Sequence, residues 1–520
     1  MNFKSAFEKL NSSQSGKILL VVGAIVSITW AVYFSIVTIS MPYQIELREG
    51  TALVTTRILL SGGNPFSFEN QPLAMTNYGI GYNLAVLPFA RFFGNTLLVH
   101  RVVTFAFILL SAFVCAAIVY KKQKDISLSF ACGAFVIIAL TANGGIGAYP
   151  SSLGTYLFLM AVLVPYVRSF GKFGLLASVL FSLLAFYTKP YFVLTFGIVA
   201  AHLFLFVSKR KAVLYGFSFF VPLLLSLFVV RAVFPLYFID TIIGNIYNTY
   251  TSFGHLVQQL KQLLLYFYPV LVLTLFMVAK GISGLRIVNV IGKWLDVSSW
   301  DQPFITRSMN YLFFSFACSL LAFLLILGPH MGTYMNYAYQ LLLPLFFCWF
   351  FQRIDLNHKF RLVAALLILF NLFLWEFRVL GPAMLEQKNS KEWAELDGYV
   401  RNSKNVLNSP LVTSQLVQLG LTPVDAGQSL VYYNVKSYPD FYLIGPPYSE
   451  WEVDGYRYTK LIDRSIEKQN FDLVITTEEK ATFFHVKRLP EFYSVVDELV
   501  INLPQTGQTW TVVLWKPLVK

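Results

Sequence analysis

Residues 18–40 read ILLVVGAIVSITWAVYFSIVTIS, 23 residues without a charge. A helix rises about 1.5 Å per residue, so this run crosses the roughly 30 Å hydrocarbon core of a bilayer. It is too long for a signal-peptide core and no small-residue cleavage site follows it, so it reads as a retained anchor. Ten further apolar runs lie near residues 97–120, 126–143, 150–167, 173–188, 190–207, 212–234, 263–280, 309–328, 338–352 and 362–380. Across all 520 residues 56% are hydrophobic and 13% charged, about half the charged share of a soluble domain. This excludes an ordinary cytosolic enzyme. The expected fold is a polytopic α-helical membrane protein of about 11 transmembrane helices.

The charges sort by side. Residues 1–381 hold 26 Lys/Arg against 10 Asp/Glu, whereas residues 382–520 hold 14 against 17. A nucleic-acid binder gathers basic residues on one solvated face; here they punctuate apolar runs. Lys4, Lys9 and Lys17, then Lys121, Lys122 and Lys124, Arg168 and Lys172, Lys209, Arg210 and Lys211, Lys280, Arg286, Lys293 and Arg307, and Arg353, Lys359 and Arg361 all fall on one side if the N-terminus is inside. The positive-inside rule makes that side cytoplasmic. Placement in the bacterial inner (plasma) membrane is expected, with a cytoplasmic N-terminus and a periplasmic or extracellular C-terminal domain.

That count holds if Tyr78–Phe93, YGIGYNLAVLPFARFF, is an interfacial or re-entrant element on the outer face, since it is short and broken by Gly79, Gly81 and Pro88. The chain then divides into a transmembrane module over 1–381, with its first outer loop at 41–96, and an outer α/β domain over 382–520. In the latter, residues 387–402 and 456–470 read as helices, and 411–414, 471–476, 493–501 and 510–515 as strands. Cys115, Cys132, Cys318 and Cys348 all sit in apolar runs, which offers no disulfide framework or zinc spacing. No internal repeat, P-loop or dinucleotide fingerprint is present.

Acids on the outer side of the transmembrane module are few: Glu46, Glu49, Glu69, Asp240 and Glu376. Glu46 and Glu49, in IELREG, share one face if that turn is helical; they are either a catalytic pair or an interfacial cluster with Arg48. Lys189, in FYTKPYF, stands where Pro190 breaks a helix with almost no loop to solvate it. Such an ammonium needs an anion or several carbonyls, unless it snorkels, and a bound phosphate would serve. Arg101, Arg231 and Arg378 near other outer helix ends are interfacial anchors or, with Lys189, a cage for a donor phosphate. Tyr78, Asp240, His255, His330, Asn336 and Tyr337 are candidates to line the substrate cavity.

With these residues laid out, the chain resembles the GT-C superfamily of integral-membrane glycosyltransferases, in particular bacterial members similar to protein mannosyltransferases and the lipid A aminoarabinose transferase. The carrying segments are Glu49-Gly50, RILLSGGNPFSF at 57–68, TNYGIGYNLAVLPFARFFG at 76–94 and HRVV at 100–103, with TKPYF at 188–192 and NYAYQLLLP at 336–344 more loosely. The family's frequent Asp-Glu pair stands here as Arg48-Glu49. The resemblance implies inverting transfer of a sugar from a polyprenyl-phosphate donor to an extracytoplasmic glycan, lipid or protein acceptor. Glu49 or Glu46 would be the base, and Lys189 with Arg101, Arg231 and Arg378 would stabilise the departing phosphate. No cofactor is required, although two nearby glutamates suit a divalent ion. The alternatives are a transporter or flippase of a lipid-linked saccharide, against which stands the 139-residue outer domain, or a polysaccharide polymerase or ligase, against which stands the absence of arginine from 235–262.

Overall fold

The structure is a computed structural model and describes residues 13–46, 48–67, 70, 72, 74–75, 78–142, 145–243, 251–282, 301, 309–330, 337–354, 361–385, 390–426, 462–477, 488–503 and 508–518. Each of the eleven apolar runs forms a helix. In chain order the transmembrane module comprises α1 Ser13–Ser40, α2 Glu49–Leu60, β1 Ala74–Met75, α3 Gly81–Phe93, α4 Leu97–Gln123, α5 Ile126–Thr141, α6 Ser151–Val167, α7 Lys172–Thr188, α8 Leu194–His202, α9 Lys209–Val233, α10 Phe253–Ile282, α11 Tyr311–Ala322, α12 Leu343–Arg353 and α13 Arg361–Leu385. Short 3₁₀ or π turns extend α8, α11 and α12 to Pro190–Val207, Tyr311–Leu327 and Ala338–Arg353.

Burial tracks composition. In α5 every residue but Ile126 and Phe130 is buried, as expected of a helix apolar all round at the centre of a bundle. The periphery is the reverse: Phe113, Phe173, Phe228 and Phe377 are 70–84% exposed. So broad an apolar exterior is stable only against lipid. Five helical stretches among the described residues are long and apolar enough to cross a membrane: Gly16–Ser40, Leu97–Gln123, Pro190–Val207, Lys209–Val233 and Phe253–Leu275.

Polar side chains set the helix ends and mend their breaks. Asp125 caps α5, accepting from Ser127 and Leu128 N–H, and pairs with Lys17 Nζ at 2.7 Å, which holds two of the basic connections at one end of the bundle. Pro269 interrupts α10, and Asn371 of α13 fills the gap: its amide donates to Tyr266 O at 2.7 Å and accepts from Val270 N–H at 3.3 Å.

The segment 78–93 carries the short helix α3, which buries Tyr82, Asn83, Val86 and Ala90 on one face and leaves Phe89, Phe92 and Phe93 47–81% exposed on the other. One-sided burial at this spacing suits a helix lying along the interface. Asn83 donates from Nδ2 to Ala52 O and Thr56 Oγ1 of α2, at 2.9 and 3.0 Å, fixing the two helices of the first outer loop together.

The C-terminal domain begins with α14 Ser390–Arg401, followed by β2 Val406–Leu407, α15 Thr413–Gln418, β3 Asp425–Ala426, a helix over 462–467, β4 Leu473–Thr477, α16 Leu489–Phe492, β5 Tyr493–Leu503 and β6 Gln508–Pro517. Its sheet runs β2-β4-β6-β5, with β2 parallel to β4 and the rest antiparallel. Three of the four expected strands are present. The fourth, 411–414, is instead a 3₁₀ turn over Pro410–Val412 running into α15; Pro410 at the first position and Ser409 Oγ accepting from Leu411 N–H favour helical entry over extension. The expected helix at 456–470 is described over 462–467, and its start lies outside the described residues.

The C-terminal domain sits on the first outer loop. β1 pairs in parallel with β3, Ala74 with Asp425 and Met75 with Ala426. Tyr43 stacks on Trp393 at 4.6 Å, and Arg57 donates to Leu421 O at 2.6 Å.

Candidate active site

The chain enters α2 at the ends of α1, α4 and α6 remote from the Lys17–Asp125 pair, and the two glutamates there, Glu46 before the helix and Glu49 on its first residue, have opposite environments. Glu49 is fully buried against Arg101 of α4. Its Oε1 accepts from Arg101 Nε and Ala148 N–H, both at 2.8 Å, and its Oε2 from Arg101 Nη2 and Ile45 N–H, both at 2.7 Å. A carboxylate has about four acceptor positions, and all four are filled. Arg101 is equally spent: besides Glu49 it donates to Thr38 O, Met41 O and Tyr43 O at 2.7–3.1 Å, which uses its five N–H groups. This bidentate pair ties the C-terminal end of α1 to the N-terminal turns of α4.

Glu46 is 7% exposed and keeps acceptor capacity. Oε1 accepts from Arg48 Nε at 2.5 Å and Oε2 from Arg48 N–H at 2.7 Å, one donor on each oxygen. The Arg48 guanidinium donates onward from Nη1 to Tyr78 OH at 3.2 Å and lies 5.7 Å from the centre of the Tyr149 ring. Burial opposes its charge, but Glu46 beside it holds the guanidinium firmly protonated.

Lys189, 7% exposed, occupies the extended turn between α7 and the 3₁₀ turn that opens at Pro190. Its Nζ donates to Ser151 Oγ, on the first residue of α6, at 2.8 Å. It faces the rings of Tyr78, Tyr191 and Tyr149 at 4.5, 5.7 and 6.0 Å. Burial, helped by the nearby Arg48 charge and opposed by Glu46, lowers its pKa from the ordinary lysine value to about 7. The Tyr191 ring lies 4.6 Å from that of Tyr337, tilted at 55°, and its hydroxyl donates to Gln340 Oε1 at 2.9 Å. Glu46, Arg48 and Lys189 thus form one cluster with Tyr78, Tyr149 and Tyr191.

The glycines of YGIG explain why Tyr78 reaches Lys189. A Cβ on Gly79 would stand 2.0 Å from Tyr187 O and 2.9 Å from Thr188 O, so glycine alone lets this strand lie on the carbonyl end of α7.

Of the residues expected from sequence, the structure brings Glu46, Lys189, Tyr78 and Tyr337 into one cluster. Glu49 and Arg101 are adjacent to it but engaged with each other. Arg231 and Arg378 are exposed on α9 and α13, and no contact described here joins them to the cluster. Asp240 is buried in the π-helical turn Ile239–Ile243, which follows α9 after a break at 234–236. His255 is half-buried near the start of α10, and His330 pairs its backbone with Thr251 across the same connection. Asn336 lies outside the described residues. Sequence reasoning missed Tyr149, Ser151 and Tyr191 as site residues and gave Arg48 a capping role; the signal available was AYPSS at 148–152, a Tyr-Pro turn opening a helix with two hydroxyls.

No protein-family model matches the sequence, and no curated protein matches it. Solved structures do. The apo structure of ArnT from Cupriavidus metallidurans superposes with a TM-score of 0.51 at 11% identity, covering 94% of this chain and 97% of that one. The structure of the same protein bound to undecaprenyl phosphate gives 0.50 at 11% identity and the same coverage. Such a likeness over nearly the full length of both chains, together with the apolar helices and the small C-terminal sheet, establishes the architecture: this is a polytopic membrane protein with a GT-C-like fold.

Proposed function

We propose that the chain is an inverting glycosyltransferase that moves a sugar from a polyprenyl-phosphate donor to a hydroxyl of an extracytoplasmic glycan, lipid or protein. One observation carries this reading: a carboxylate with open acceptor positions, Glu46, lies in one cluster with two basic side chains, Arg48 and Lys189, at the end of the bundle opposite the basic loops. Glu46 takes the acceptor proton as the hydroxyl attacks the anomeric carbon. Arg48 and Lys189 compensate the charge that collects on the departing lipid phosphate. The tyrosines supply flat faces for the sugar and exclude water. The basic loops at the opposite end of the bundle support an outer-face site, where lipid-linked donors replace nucleotide sugars. The structure of ArnT bound to undecaprenyl phosphate supports a lipid phosphate as the donor's carrier. Mass spectrometry of envelope glycans and lipid carriers from a deletion strain tests the reading: a lost modification with an accumulated lipid-linked sugar supports it, and an unchanged profile of both sinks it.

Lys189 supplies a binding test. A charged hydrogen bond is worth about 1.5 to 3 kcal/mol, so Lys189→Met should weaken undecaprenyl phosphate binding roughly 10- to 100-fold, with Lys189→Arg retaining part of it. The pH dependence has a definite sign. With its pKa lowered to about 7, the free lysine is charged below that pH, whereas a bound phosphate restores the charge; binding above pH 7 takes up a proton. Affinity should therefore fall as pH rises from 7 to 9, by at most about tenfold per unit. The decline should vanish in Lys189→Met. Titration in nanodiscs reads both effects, and equal affinities for wild type and Lys189→Met would reduce this lysine to an anchor.

A further inference from the structure

The C-terminal domain touches the cluster's two flanks, and one side chain carries the nearer contact. Gln44 is fully buried between the domain and the Glu46 turn. Its Oε1 accepts from Ser414 N–H at 2.7 Å, in the first turn of α15. Its Nε2 donates to Pro410 O at 3.1 Å and, on the other side, to Glu46 O at 3.3 Å. One amide thus joins two points of the C-terminal domain to the backbone of the proposed base. The fit is close: a Cβ on Gly50 would stand 2.5 Å from Thr413 Cβ and 2.9 Å from Gln44 Oε1.

The farther flank is held by β3. Asn408 accepts from Val424 and Asp425 N–H at 2.8 and 3.1 Å and donates to Asp425 O at 2.6 Å, and Thr413 Oγ1 donates to the same carbonyl at 2.7 Å. These bonds fix the strand on which β1 pairs. β1 ends three residues before Tyr78, the ring that meets both Arg48 and Lys189. Thr51, on the first turn of α2, also donates to Ala426 O.

We infer that the C-terminal domain is a template for the reaction site, and that Gln44 is the positioning residue through which it holds Glu46 over the acceptor. This inference rests on the reading of Glu46 as the base. An ångström of misplacement at a reacting group costs on the order of 10²-fold in rate. Gln44 needs both halves of its amide, an acceptor toward Ser414 and a donor toward Pro410 and Glu46, so a residue of similar volume without them should loosen the turn and leave the phosphate site alone.

The test compares full-length wild type, Gln44→Leu, Gln44→Glu and Glu46→Gln in membrane vesicles from the deletion strain carrying its endogenous lipid-linked donor. Transfer is read by mass spectrometry and undecaprenyl phosphate binding by titration in nanodiscs. Gln44→Leu should lower the transfer rate about 10- to 100-fold while phosphate-lipid affinity stays within about twofold. Gln44→Glu adds a readout that a merely structural role would not move. Its carboxylate cannot donate to either carbonyl, but its protonated form has one O–H to donate to one of them, so its rate relative to wild type should rise as pH falls from 8 to 5.5. A Gln44→Leu rate within twofold of wild type, or a loss of affinity as large as the loss of rate, overturns the inference. If Gln44→Leu does not reach the membrane, Gln44→Glu decides: a pH-independent ratio overturns it. Glu46→Gln separates the two failures, since an inactive Glu46→Gln beside a fully active Gln44→Leu removes Gln44's role and keeps the base.

Discussion

Glu49→Gln should cost the protein its fold rather than its chemistry. The amide puts an N–H₂ group where an oxygen accepted two donors, and it leaves the Arg101 charge without its counter-ion at zero exposure. Removing one partner of a buried, hydrogen-bonded ion pair costs about 3 to 5 kcal/mol, a large share of the 5 to 15 kcal/mol that keeps a typical protein folded. The loss falls where Thr38, Met41 and Tyr43 present their carbonyls to Arg101, at the end of α1 and the start of the Glu46 turn. Glu49→Gln, Arg101→Gln and Arg101→Lys should each show reduced yield in the membrane and a lower thermal midpoint in nanodiscs. Lysine has three donors for a site that uses five. The double variant Glu49→Gln/Arg101→Gln should recover part of the loss, because no lone buried charge remains. A Glu49→Gln protein with the wild-type midpoint and no transfer would return the base to Glu49.

How far the sequence alone reaches is plain from these two glutamates. Their spacing puts them on one helical turn, and membrane physics marks both as worth explaining, but nothing local tells which is satisfied. The answer comes from Arg101, 52 residues beyond Glu49, and from Ala148 N–H, 99 residues beyond. Arg101 was legible as an outer-end cation and not as a spent one, because satisfaction is a property of the packed helices. The eleven apolar runs, by contrast, were legible as helices, since lipid requires each span to bond its own backbone, although α10 begins at Phe253, ten residues before the run read at 263–280. Lys189 lay between, readable as a buried cation at a proline break, with its tyrosine surroundings assembled from four separate segments. The misread stretch 411–414 shows the opposite limit: β-branched residues suggested a strand, but Ser409-Pro410 and contact with α2 favoured a helical turn.

Glu46→Gln should abolish transfer while the protein folds normally. Glu46 is held from one side by Arg48, through Nε and the backbone N–H, and each oxygen retains capacity to take a proton from an acceptor hydroxyl. The amide keeps the shape and loses that basicity, and loss of a general base costs about 10²- to 10⁴-fold in rate. The structural penalty is smaller than at Glu49, because the Arg48 side chain is 24% exposed and stays partly solvated. Phosphate-lipid binding should largely persist, since Lys189 bonds Ser151 and faces the tyrosine rings, although the loss of the Glu46 charge removes one group that favours its ammonium form. Glu46→Asp should recover part of the rate, because the charge remains and the carboxylate is withdrawn by one methylene. The decisive comparison sets rate against thermal midpoint for both glutamates: Glu46→Gln stable and inactive, Glu49→Gln unstable. Full turnover in a well-folded Glu46→Gln would reject this carboxylate as the base.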